Sequence, residues 1–226
     1  MPYDAHLHAR PARTGGKLQS PVATGLMPLA EGLGRDSYLY VPAGCSSNRP
    51  CALALMLHGA GGHAHHGIKL LQHLADAANI IIVAPASKAS TWDVITGGGY
   101  GPDVAAIDLA LLHAFDRHAI DATHVAIGGF SDGASYALSL GISNGDLFTH
   151  IIAFSPGFIA PVSMRGKPRI FISHGIQDPV LPIDACSRKI VPRLEKLAYD
   201  VTYHEFEGAH IIPPDISDQA VRWFIA

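Results

Sequence analysis

Charge, cysteine and long apolar runs are all scarce in this chain of 226 residues. Charged residues make up only 15% and the formal net charge is -3, which leaves no basic footprint for nucleic acid. No window approaches the length of apolar chain that a membrane span needs, so stable membrane insertion is not expected. The opening MPYDAHLHARPARTGGKLQSPVATG lacks the apolar core of a secretory signal. Three cysteines, an odd number, argue against a disulfide scaffold. Cys45 and Cys51 flank SSNRP and are able to bridge across a loop, but reduced thiols in a cytoplasmic chain are the simpler expectation.

Apolar material, by contrast, is plentiful at 48%, enough for one substantial core in one domain. Residues 1–36 read as an N-terminal arm and lead-in, and residues 37–226 as a single domain. SYLYVP and CALALMLHG read as strands, and a helical pattern follows through Ile68, Leu71, Leu74 and Ala78. IIIVAPAS is a continuous apolar run, as a parallel strand covered on both faces requires. Pro102 and Asp103 suit a helix start, and Val104, Ile107, Leu111 and Phe115 recur at helical spacing. HVAIGGF, HIIAFSPG, RIFISHG and DVTYHEFEG continue the strands, with a last helix over Asp215–Phe224. Alternation of this kind predicts an α/β fold with a mostly parallel, doubly wound sheet flanked by helices.

Gly-x-Ser-x-Gly occurs twice within GGFSDGASYALSLGISNGD, around Ser131 and around Ser143. The pattern presents a nucleophile only where a strand runs into a sharp turn and a helix leaves it. Val125, Ala126 and Ile127 supply that strand before Ser131, and Ala134, Ala137, Leu138 and Gly141 continue one helical face after it. Ser143 has no strand before it, and Asn144 with Gly145 reads as a helix stop. A serine also needs a base and a group that orients the base. Asp178 in RIFISHGIQDPVLP and His210 in DVTYHEFEGAHIIPP each lie in a loop after a strand, and Asp184 is the alternative acid. Backbone N–H groups of Asp132, at a helix start, and of Ala60, in LHGAGGHAHHG, are placed to form an oxyanion hole, with Gly61 the lesser donor. Trp92, Phe158, Val180 and Ile211 are candidate substrate-pocket walls. His6 and His8 read as solvated, and so do His58, His63, His65 and His66, whose spacing in a glycine-rich loop is poor for a metal site. No metal or other cofactor is called for.

LHGAGG, GGFSDGAS, SHGIQDPVLP and FEGAH together resemble the phospholipase/carboxylesterase branch of the α/β-hydrolase superfamily, which includes acyl-protein thioesterases. The branch usually carries glutamine after the serine, where this chain has Asp132. The resemblance implies a Ser131–His210–Asp178 triad working through an acyl-enzyme on a small-molecule ester of short-to-medium acyl length, in a monomer or homodimer. Only GFIAPVSMRGKP lies between the strand ending at Pro156 and the one starting at Arg169, too little for a cap domain, so interfacial activation is not expected. Thioesterase, lysophospholipase or polyester-depolymerase chemistry remains an alternative on the same triad. So does a non-catalytic hydrolase-fold binding protein.

Overall fold

The apolar runs become the central strands of the protein. The computed structural model describes residues 5–11, 23–29, 37–46, 48–97 and 99–226. Its strands are β1 (Gly25–Pro28), β2 (Tyr38–Val41), β3 (Cys51–Leu57), β4 (Ile80–Ala84), β5 (Ile120–Phe130), β6 (His150–Phe154), β7 (Arg169–Gly175) and β8 (Val201–Phe206). They form one sheet in the order β1-β2-β4-β3-β5-β6-β7-β8, antiparallel at β1–β2 and β2–β4 and parallel elsewhere. The helices are α1 (Ala64–Lys69), α2 (Gln72–Ala78), α3 (Asp93–Thr96), α4 (Pro102–Arg117), α5 (Asp132–Ser143), α6 (Ser187–Lys196) and α7 (Pro214–Phe224).

Strand alternation sorts the core into two layers. Leu53, Leu55 and Leu57 of β3 share a buried cluster with residues of α4, α5 and α6, while Ala54 and Met56 share the other with residues of α1, α2 and α7. The neighbouring strands β3 and β5 therefore send their chains to opposite faces of the sheet. The cleft outside their C-terminal ends is the topological switch point at which ligands bind in open α/β sheets. Both the glycine-rich loop after β3 and Ser131 lie there.

Three expectations need amendment. The helix through Ile68 and Ala78 is two helices, because Leu71 leaves helical geometry (φ -131°, ψ -1°) and is fully buried. The core starts before Ser37: β1 joins the sheet, and Ala5, Leu7 and Ala9 are buried. Asn144 holds that N-terminal stretch, accepting from the Leu7 N–H (2.9 Å) and donating to the Ala5 carbonyl (2.7 Å). Finally, Cys45 and Cys51 form a disulfide across a turn, with Cα atoms 5.6 Å apart, contrary to the expectation of reduced thiols. Cys186 is free and buried. No helix among the described residues is long and apolar enough to cross a membrane.

Candidate active site

Ser131 sits where β5 ends and α5 begins, in a conformation that L-residues rarely adopt (φ 58°, ψ -121°). Crowding explains why glycine flanks it. A Cβ on Gly129 would lie 2.5 Å from the Gly133 carbonyl carbon, and one on Gly133 would lie 2.3 Å from the Leu57 carbonyl oxygen. The turn is thus wedged against β3, and strain at the serine is held by surrounding backbone that cannot yield. The serine N–H donates to the Phe154 carbonyl on β6 (2.9 Å).

Asp178 and His210 come from the loops after β7 and β8. His210 Nδ1 donates to Asp178 Oδ2 (2.6 Å), while Asp178 Oδ1 accepts from the N–H groups of Val180 (2.9 Å) and Leu181 (2.8 Å). Burial pushes this carboxyl upward, but the donors from Leu181, His210 and Val180 outweigh it and hold Asp178 below the usual carboxylate range. The His210 ring packs on Phe130, the residue before the serine, with centroids 4.6 Å apart. No hydrogen bond is recorded between the Ser131 hydroxyl and His210, and such catalytic contacts often tighten only when substrate binds. Asp184 lies instead in a surface ion pair with Arg188 (2.8 Å).

A second histidine reaches the same carboxylate. His174 Nε2 lies 2.8 Å from the Leu181 carbonyl and 3.2 Å from Asp178 Oδ2, and its Nδ1 lies 2.7 Å from Ser187 Oγ. With two oxygen acceptors at Nε2 and a hydroxyl at Nδ1, the consistent tautomer carries its proton on Nε2. Burial lowers the imidazole below its ordinary range, which keeps it neutral. In the sequence His174 is one polar residue in an apolar strand, and nothing there signals this contact.

Facing the serine, the loop after β3 is fixed by the segment 87–92. The Gly61 N–H is committed to the Ser90 carbonyl (2.7 Å) and the Gly62 N–H to Gly59 (3.0 Å). Among the described residues no acceptor is recorded for the Ala60 N–H in this loop. A Cβ on Gly59 would lie 3.4 Å from Ser131 Cβ, so the two loops are in contact. The Asp132 N–H, at the first position of α5, precedes the helix's own hydrogen-bond ladder. Its carboxylate accepts from the Thr91 hydroxyl (2.6 Å). His58 is buried beneath the loop, its Nε2 accepting from the Ser87 N–H (3.0 Å) and its Nδ1 donating to the Gly59 carbonyl (2.8 Å).

Trp92 is not a pocket wall. It is fully buried, donates through Nε1 to the His58 carbonyl (2.9 Å) and stacks on Tyr136 at 5.2 Å. An indole whose N–H finds a buried acceptor is stable inside the core. Phe158 is half-buried beside the site, and Val180 and Ile211 are exposed. His63 stacks on His66 at 4.0 Å, and His65 packs tilted against Tyr38 at 3.9 Å. His6 packs edge-on to His8.

The sequence profile described as phospholipase/carboxylesterase matches residues 106–225, just over half of the chain. A probable feruloyl esterase C of Aspergillus oryzae (strain ATCC 42149 / RIB 40) is 30% identical over 158 residues, which cover 66% of this chain and 57% of the fungal one. The chain thus spans little more than half the length of that relative. Esterase PE8 has a similar structure (TM-score 0.66, 24% identity, 88% of this chain and 98% of that one). So does the CE1 ferulic acid esterase AmCE1/Fae1A of Anaeromyces mucronatus, solved with ferulic acid (TM-score 0.64, 16% identity, 98% and 97%).

Proposed function

The chain belongs to the phospholipase/carboxylesterase family of α/β-hydrolases, and from that premise we propose that it hydrolyses carboxylic esters with Ser131 as nucleophile. The observation that carries this reading is the strained Ser131 turn set beside a hydrogen-bonded Asp178–His210 pair on neighbouring strand ends. Ser131 Oγ attacks the ester carbonyl carbon as His210 takes the hydroxyl proton. Asp178, ionised and held by two backbone amides, orients the imidazole and stabilises its charged form. The N–H groups of Asp132 and Ala60 stabilise the tetrahedral oxyanion, each by about 3 kcal/mol if typical of such donors. Collapse releases the alcohol, which receives the proton from His210. Water, deprotonated by His210, then cleaves the acyl-enzyme and frees Ser131.

For the acyl group, the reading best supported is an aromatic acid of the hydroxycinnamic class. The similarity to a probable feruloyl esterase C supports it. So do the apolar side chains of Phe158, Val180 and Ile211, on the loops after β6, β7 and β8, and the Phe130 ring packed on His210. Asp132 disfavours acyl groups carrying a second carboxylate. We place the protein in an oxidising compartment, since the Cys45–Cys51 disulfide suits one better than the cytoplasm.

The experiment is a comparison of methyl ferulate, p-nitrophenyl acetate through decanoate, and an acyl thioester, on the native protein and Ser131→Ala. Methyl ferulate as the best substrate, with activity lost in the variant, is the expected result. A preference for aliphatic esters or thioesters would move the substrate class while keeping the nucleophile. Failure of the native protein both to turn over any ester and to label with a fluorophosphonate would leave a binding protein.

A further inference from the structure

A cavity of about 420 Å³ opens far from Ser131, between the end of α5, the β6–β7 connection and the C-terminal half of α6. Ile142, which lines it, is about 16 Å along α5 from Ser131 at the usual helical rise. The volume falls in the range of about 300–1,000 Å³ typical of small-ligand sites. Its walls are mostly apolar: Ile142, Ile159, Val162, Met164, Leu194 and Leu197. Val162 and Met164 are 63% and 59% exposed, an unusual state for such side chains on a rigid wall.

The wall is rigid because α5 carries serines every fourth residue. Ser135, Ser139 and Ser143 each donate to the carbonyl four residues back, and each accepts one backbone N–H from the connection: Gly157 (2.8 Å), Ala160 (2.9 Å) and Val162 (3.2 Å). Tyr100 also donates to the Ala160 carbonyl (3.2 Å). The cavity is therefore preformed.

Its charged lining is of one sign. Arg193 and Lys196 stand three residues apart on α6, hence on one face, and both line the cavity. Neither makes an ion pair, and no carboxylate lines the space. Lys167 adds a third cation beside it, donating to the Leu197 carbonyl (2.6 Å). An apolar chain with an anionic head matches this arrangement: the chain fills the cavity, and the head meets the two cations at the rim.

We propose that this cavity is a binding site for a single anionic amphiphile, a medium-chain carboxylate, separate from the ester site and independent of the chemistry there. Calorimetric titration with sodium dodecanoate below its micelle concentration tests it, against the native protein, Arg193→Glu/Lys196→Glu and Val162→Asp. All three positions are exposed, so the variants should fold, which their thermal unfolding checks. The expected result is one equivalent bound, weakened at least about tenfold by the double reversal and also weakened by Val162→Asp, with p-nitrophenyl acetate hydrolysis unchanged. Absence of binding overturns the proposal. So does binding that ignores both variants, as occupancy of the ester site would. Equal affinity for dodecyltrimethylammonium, or binding confined to phosphatidylglycerol vesicles, also overturns it.

Discussion

One helix carries the same five-residue pattern at both ends, and the two ends differ in almost everything else. At the start of α5, Gly129-Phe130-Ser131-Asp132-Gly133 is pressed against β3 and forces the serine to φ 58°. At its end, Gly141-Ile142-Ser143-Asn144-Gly145 leaves Ser143 helical and fully bonded, and Asn144 clasps the N-terminal stretch. The pattern therefore encodes close approach at its glycines, which both copies share. What differs is the setting: the first copy is packed against the end of β3 near the Asp178–His210 pair, whereas the second packs on Ile127 and Ile151 at Gly141 and on Arg165 of the β6–β7 connection at Gly145.

Substitutions at the two serines pull this contrast furthest apart. Ser131→Ala should lower kcat by at least about 10⁴-fold with unfolding midpoint unchanged. Ser143→Ala should leave kcat within about twofold and cost about 1–2 kcal/mol, since it strands the Val162 N–H. Steady-state kinetics with urea unfolding on both variants decides it, and a Ser143→Ala enzyme as dead as Ser131→Ala would collapse the distinction. Next in size is Gly133→Ala. Its Cβ meets carbonyl oxygens of Leu57 and His58 at 2.3 and 2.5 Å, whereas that of Gly141 meets movable methyls of Ile127 and Ile151 at 2.7 Å. The Gly133 variant should lose about 3 kcal/mol or more and the Gly141 variant less, as thermal unfolding will report.

Acid should also test the far end. His118 and His150 lie at the edge of the sheet where α5 stops. Burial lowers both, with Arg117 adding to the effect at His118 and Arg169 and His124 at His150, which reaches about 4. Because the folded values are depressed, their stability is present above about pH 6.5 and is lost as pH falls toward 4. His150 alone accounts for up to about 3 kcal/mol. Urea midpoints at pH 7, 5.5 and 4.5 should fall accordingly, and His150→Gln should flatten the decline. The smallest effect is expected at the serine end. His174→Phe removes one donor from Asp178 and should reduce kcat about tenfold at little change in KM. His174→Gln, which keeps an N–H donor, should restore part of it; equal kcat in both variants would make the contact merely structural.

Much of this was legible from residue order. Val125–Ile127 had to be a buried strand, Ala134–Gly141 had to be one helical face, and only a turn could join them, so Ser131 was separable from Ser143. Asp178 and His210 were marked by strand runs ending in polar loops. What escaped was whatever depends on distant backbone. His174 meets Asp178 only because the Leu181 carbonyl folds back onto it. Trp92 was placed near the substrate because it follows a strand end, but the His58 carbonyl, 34 positions earlier in the chain, draws its indole inward. Leu7 alternates only with two small alanines, Ala5 and Ala9, between histidines, too slight a pattern to mark a core stretch, and its anchor, Asn144, lies 137 positions away.

The serine-stapled connection that begins at Gly157 also sets how ligands arrive. Three backbone hydrogen bonds tie the 157–162 segment to α5, so this segment is not expected to act as a flap over Ser131. Association should then be a single bimolecular event. With Ser131→Ala, in which acylation cannot follow binding, stopped-flow traces should be single exponentials whose observed rate climbs linearly with ester concentration, without the plateau that a moving flap imposes.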